Sequence, residues 1–170
     1  TAVIDAVVIG RNEGARLTAC LRSMAGQFRH LVYVDSGSTD GSLREATQLG
    51  AEVVTLDMTQ PFTAARARNA GLAWLAADPP EFVQLIDGDC QMQAGWLSAA
   101  LSAFAAHPAA VVVCGRRRER FPEASVWNAL ADRQAVQAGP AQQHAGTVQA
   151  VEAQPGEQAG VQFVVVEQRR

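Results

Sequence analysis

Five short apolar runs, separated by segments of helical period, restrict this 170-residue chain more than anything else in it. The runs are Ala2–Ile9, broken only by Asp5, then Leu31–Val34, Ala51–Leu56, Phe82–Ile86 and Ala110–Cys114. Runs of this length, apolar on both faces, read as strands buried in the middle of a sheet. Between the first two, Leu17, Cys20, Leu21 and Met24 recur at helical spacing, which predicts an amphipathic helix over Ala15–Phe28. Further helices are predicted over Ser42–Leu49, closed by Gly50, over Phe62–Ala77, opened by Pro61 and stopped by Pro79 and Pro80, and over Gln93–Ala106. Strands alternating with helices in this way imply an α/β fold: a mostly parallel, Rossmann-like sheet with right-handed crossovers and helices on both faces.

The loops at the carboxyl ends of three strands are chemically marked. The fourth run ends on Asp87-Gly88-Asp89, the second on Asp35, and the first leads into Gly10-Arg11-Asn12-Glu13. An Asp-Gly pair alone reads first as a turn. In an open parallel sheet, however, ligands bind outside the carboxyl ends of the strands, and all three segments would meet there. Paired carboxylates beside a glycine, which allows close approach, suit Mn²⁺ or Mg²⁺ held together with the phosphates of a substrate.

Composition closes off other classes. The net charge is −3, without the basic face that nucleic-acid binding needs, and all fourteen cationic residues are Arg. Cys20, Cys90 and Cys114 are odd in number and widely spaced, which points to a reducing, cytoplasmic setting rather than a disulfide framework or zinc site. No run is long enough for a transmembrane segment, leaving a chain free in the cytoplasm or peripheral to a membrane.

After Arg116-Arg117-Arg118-Glu119-Arg120 the character changes. A helix is expected over Glu123–Gln137, with Val126, Trp127 and Leu130 on one face. Residues 138–170 read as a Gln/Ala/Gly-rich tail, loosely packed to Gly160, with one strand candidate at 161–167. The expected division is thus an α/β domain over 1–137 and a tail over 138–170.

Four ordered segments, Val7-Val8-Ile9-Gly10-Arg11-Asn12-Glu13, Val34-Asp35-Ser36-Gly37-Ser38-Thr39-Asp40-Gly41-Ser42, Ala67-Arg68-Asn69-Ala70-Gly71-Leu72 and Asp87-Gly88-Asp89, resemble the family 2 glycosyltransferases, which have the GT-A fold. The resemblance covers the first two-thirds of the chain. It implies a nucleotide-sugar-binding half, with a UDP-sugar favoured over a GDP-sugar as donor. It implies that Gly10, Asn12 and Glu13 lie against base and ribose, that Asp35 and Gly37 belong to the base site, and that Arg68 lies near the diphosphate. Asp87 and Gly88 would reach the ribose or the metal's water shell, and Asp89, with Asp87, would hold the divalent metal. The implied reaction is metal-assisted, inverting transfer of the sugar to the hydroxyl of an unidentified acceptor.

By the same resemblance, the acceptor half is short or divergent. No Gly-rich segment ending in adjacent acids comes after Asp132, and Glu152, Glu157 and Glu167 lie in Gln-rich surroundings, so no general base is assigned. A non-catalytic or truncated nucleotide-sugar-binding module is the alternative. A nucleotidyltransferase is disfavoured because the chain has no Lys, and a dinucleotide-binding domain because no Gly-x-Gly-x-x-Gly succeeds the first strand. Asp40 reads as a loop cap, Arg66 as a solvated helix residue, Trp74 and Trp96 as core, and His30, His107 and His144 take no role. An exposed sheet edge would favour pairing with a second copy, a homo-oligomer.

Overall fold

The computed structural model describes residues 2–115, 121–127, 129–130, 148–152 and 162–166. Strands are β1 Ile4–Gly10, β2 Leu31–Asp35, β3 Glu52–Thr55, β4 Phe82–Asp87, β5 Ala110–Gly115, β6 Val148–Glu152 and β7 Gln162–Val166. Helices are α1 Ala15–Met24, α2 Ser42–Gln48, α3 Ala64–Leu75 and α4 Trp96–Ala106. Among the described residues they form one sheet in the order β3-β2-β1-β4-β7-β5-β6. All neighbours are parallel except β5 and β6. The expected α/β architecture is therefore present, with helices on both faces.

Alternation along β1 divides the core. Ala6 and Val8 pack with Leu17, Cys20, Leu21 and Met24 of α1, with Tyr33 and with Ile86. Val7 and Ile9 point the other way, into a cluster with Val34, Val83, and Ala67 and Leu75 of α3. Each fully buried side chain of this size stabilises by about 1.5–3 kcal/mol, so both faces of β1 are fixed by packing. α4 covers Phe82 and Val113 through Phe104, with the Phe82 and Phe104 rings 5.1 Å apart. Gln84, buried in mid-sheet, accepts from Trp96 Nε1 at 2.7 Å and donates to the Leu85 carbonyl.

Several boundaries differ from the pattern-based ones for local reasons. α1 stops at Met24, short of Phe28, because Ala25 is extended and Gly26 takes φ 71°. α3 begins at Ala64 because Thr63, not Pro61, is its cap, accepting from Arg66 N–H at 3.0 Å. Gly95, at φ 82°, delays α4 to Trp96. Residues 138–170, set apart in the sequence as a tail, supply β6 and β7, and β7 lies between β4 and β5. β6 falls in a stretch read as loosely packed. Val148-Gln149-Ala150-Val151-Glu152 does not alternate strictly, and its surroundings of Gln, Ala and Gly hide the strand.

Of the helix expected over 123–137, Val126, Trp127, Ala129 and Leu130 are helical, and Val126, Trp127 and Leu130 are exposed. Its first residues differ: Glu123 and Ala124 belong to a short 3-10 helix, Pro122–Ala124, and Ser125 is extended. Asn128, residues 131–137, Arg116 to Arg120, His144, Glu157 and Glu167 lie outside the described residues. No helix among the described residues is long and apolar enough to cross a membrane.

Candidate functional site

The strand order places β2, β1 and β4 side by side, and the register levels their ends: Gly10 opposite Asp35, and Ile9 opposite Asp87. The three marked loops therefore leave the sheet as neighbours, as the strand-end pattern requires.

Asp87 ends β4. Its Oδ1 accepts from Arg68 NH2 at 2.8 Å, each side chain being about a quarter exposed. Arg68 reaches it from α3, which lies against β1 and β2 at Gly71. A Cβ on Gly71 would collide with both methyls of Val7, the farther at 2.9 Å, so only glycine lets the helix settle this low. Gly88 is fixed by its own N–H, which donates to the Ile9 carbonyl at 2.8 Å. A Cβ there would meet Ile9 O at 3.2 Å, Leu17 Cδ1 at 3.3 Å and Glu13 Cγ at 3.5 Å. Gly88 has no positive φ, so the close approach of β1 and Glu13, not unusual dihedrals, demands glycine. Asp89, half-buried, accepts from the Cys90 thiol at 3.3 Å.

Glu13 is almost buried, between Gly10 and Gly88, and pairs with Arg16 at 2.8 Å. Glu13, Asp87 and Asp89 all act on the buried Cys20 thiol, which burial first and then these three charges push up to about 12. The three carboxylates thus lie around one buried thiol. Cys20 donates to the Asp87 carbonyl, and burial with the Asp89 charge raises the Cys90 thiol as well.

Asp35 is buried, and all its hydrogen bonds stay within the chain: Oδ1 accepts from Tyr33 OH at 3.0 Å, Oδ2 from Gly37 N–H and Ser38 N–H at 2.9 Å each. Gly37, at φ 82°, allows the turn that delivers these donors. A carboxylate has about four acceptor positions, so at least one remains for a ligand donor. Asn12, at φ 54°, clasps the same loop: its N–H donates to Ser38 Oγ at 2.9 Å and its Oδ1 accepts from Thr39 N–H at 2.7 Å. Asp40 accepts from Ser42 N–H and hydroxyl at the start of α2, the capping role expected of it, and these bonds lower its pKa.

Arg66, read as solvated, instead holds the β3–α3 loop through the carbonyls of Asp57, Gln60 and Pro61. Trp74 is not core: it is 40% exposed and meets His30 edge-on. His30 pairs with Glu52 at 3.0 Å.

Among the described residues, two buried polar atoms here have no hydrogen-bond partner, Ser36 Oγ and Arg68 Nε. Native structures leave few such atoms unexplained, and a bound polar ligand is one explanation. Ser36 was not among the sequence-derived site residues; its only signal was position, directly after Asp35. Tyr33 was missed because a tyrosine inside an apolar run reads as core.

No group of three or more His, Cys, Asp and Glu among the described residues is set to hold a metal by itself. Asp87 and Asp89 nevertheless fit a hard divalent cation that takes one or two carboxylates and completes its shell from water and substrate phosphates. Each acid has one oxygen engaged, Asp87 by Arg68 and Asp89 by the Cys90 thiol.

The profile of Glycosyl transferase family 2 matches residues 5–158. A TPR repeat-containing protein of Synechococcus elongatus is 31% identical over 88 residues, 52% of this chain and 21% of that protein. Among solved structures, glucosyl-3-phosphoglycerate synthase of Mycobacterium tuberculosis, in complex with Mn²⁺, UDP and glucosyl-3-phosphoglycerate, has a TM-score of 0.55 at 23% identity, covering 76% of this chain and 50% of that one. TarS of S. aureus, residues 1–349 with UDP-GlcNAc, has a TM-score of 0.56 at 22% identity, covering 69% of this chain and 35% of that one. The chain thus spans half or less of the length of these proteins, and shares the GT-A fold with the two solved ones. With the four motifs assembled at one sheet edge and the profile matched over most of the sequence, the chain belongs to glycosyl transferase family 2.

Proposed function

We propose that this chain is the donor-binding half of a glycosyltransferase that moves a sugar from a nucleoside diphosphate to an acceptor hydroxyl, with inversion and with Mn²⁺ or Mg²⁺. The observation that carries the reading is the pairing of Arg68 with Asp87, two residues before Asp89, with Arg68 Nε lacking a hydrogen-bond partner among the described residues. Acids without cations would repel a diphosphate. Here a guanidinium pairs with one of the acids, and guanidinium geometry matches phosphate oxygens.

Asp89 would ligate the metal directly, with Asp87 beside it; the metal would act as a Lewis acid, offsetting charge that grows on the departing diphosphate. Arg68 would bind the diphosphate while keeping Asp87 ionised and oriented. Asn12, Glu13, Gly10 and Gly88 would form the floor under the ribose, and the Asp35 to Ser38 loop would meet the base. UDP is favoured over GDP as the carrier because the M. tuberculosis structure holds UDP and the S. aureus structure UDP-GlcNAc.

Titration calorimetry of UDP and GDP into the folded chain, with and without Mn²⁺, tests this. Mn²⁺-dependent binding of UDP, tighter than that of GDP, is expected; absence of binding by either nucleotide would overturn the reading.

A further inference from the structure

Tyr33 is buried in the middle of β2 and points to the same face as Asp35 two residues on. A buried phenol needs a partner, and this one has Asp35. Its O–H donates to Asp35 Oδ1 at 3.0 Å, and Asp35 Oδ2 accepts from Ser38 N–H at 2.9 Å. Ser38 Oγ in turn accepts from Asn12 N–H at 2.9 Å. The phenol is therefore the root of a chain of hydrogen bonds running from the core to the loops after β1 and β2. Gly10 packs against the phenol: a Cβ there would be in ordinary contact, 3.4 Å from both Tyr33 Cε2 and Tyr33 OH.

We propose that Tyr33 is a positioning residue for nucleotide recognition: its hydroxyl sets Asp35 and Ser38, and so preorganises the 35–38 loop for the base. This rests on the donor-site reading of the proposed function. A phenylalanine would fill the same space, so packing alone does not account for a hydroxyl at this position. In Tyr33→Phe, Asp35 Oδ1 loses its buried partner and the carboxylate is freer to turn, while the Gly37 and Ser38 amides still have Asp35 Oδ2. The loop should loosen without the sheet melting. Ordering it would then fall to the ligand, which weakens binding of anything that uses the base and spares what is read through phosphate alone.

The test compares parent, Tyr33→Phe and, as a second variant that leaves the core untouched, Ser38→Ala. Amide hydrogen exchange should quicken at Gly37, Ser38 and Thr39 in both variants, with exchange in β1 and β4 unchanged. Calorimetry with Mn²⁺ should show UDP binding weakened about tenfold, the scale of one hydrogen bond to a charged group, and inorganic pyrophosphate binding unchanged. Equal weakening of UDP and pyrophosphate would make Tyr33 a general structural residue and overturn the proposal. So would unchanged loop exchange. If the parent itself bound pyrophosphate but not UDP, the donor-site reading would fail, and the base-positioning role with it.

Discussion

Arg68 NH2 lies 2.8 Å from Asp87 Oδ1, so a cation carried by α3 is tied to the acid that ends β4. The contact joins two sequence motifs nineteen positions apart and exists only because Gly71 lets α3 sit against Val7. Arg68 Nε is buried with no hydrogen-bond partner among the described residues.

Replacing Arg68 by Met should preserve the fold, because a partly exposed pair contributes only about 1 kcal/mol. Binding of UDP with Mn²⁺ should weaken by about one to two orders of magnitude, since a charged bond to phosphate is lost and Asp87 loses its neighbouring cation. Calorimetry beside a thermal melt checks both halves. Unchanged UDP affinity would remove Arg68 from the site.

Asp89→Asn should separate metal from nucleotide. The side chain is half-buried at a strand end and its one described hydrogen bond comes from a thiol, so the melting temperature should change little. The amide keeps an acceptor oxygen but not the charge that a divalent ion requires, and the gain in UDP affinity on adding Mn²⁺ should largely disappear. An undiminished Mn²⁺ effect would move the metal seat elsewhere.

The opposite end of the sheet carries stability instead. Asp5 is fully buried, receives Arg29 through Nε at 3.1 Å and NH2 at 2.7 Å, and also accepts from His30 N–H. Arg29 extends outward to Asp78 at 2.7 Å. Asp5→Ala should cost about 2–3 kcal/mol, less than for a wholly buried pair because Arg29 keeps Asp78 and partial access to water. UDP affinity should be unchanged, because Asp5 begins β1 and the site lies past its far end. Denaturant melts and calorimetry on one sample would show the two effects apart.

Sequence patterning located the strands and the three site loops because both depend on local information: apolar runs, and the polar residues that end them. It could not supply what depends on contacts between distant residues. Gly88 reads as a glycine that admits a ligand, yet its tight neighbours are Ile9, Leu17 and Glu13 of this chain. Asp5 reads as a flaw in a strand, yet Arg29 makes it a buried ion pair. β6 and the fitting of β7 between β4 and β5 are non-local pairings that no window of sequence encodes.

The thiols beneath the acids predict how the fold responds to alkali. Burial, together with the charges of Asp89, Asp87 and Glu13, raises Cys20 from 9.0 to about 12. Between those values the unfolded thiol has lost its proton while the folded one keeps it. The unfolded state then binds fewer protons, and stability must fall as pH rises. Below pH 9 this contribution is fully present. Across the window one such group changes the unfolding free energy by about 1.4 kcal/mol per pH unit. Cys90 and Tyr33, raised chiefly by burial, add slopes of the same sign. Cys20→Ala should be less stable at pH 7 through the cavity it leaves, yet lose stability less steeply above pH 9. Urea melts at a series of pH values would measure both. Parallel slopes for parent and variant would mean that the Cys20 thiol ionises in the folded protein as readily as in the unfolded one, and would overturn the prediction.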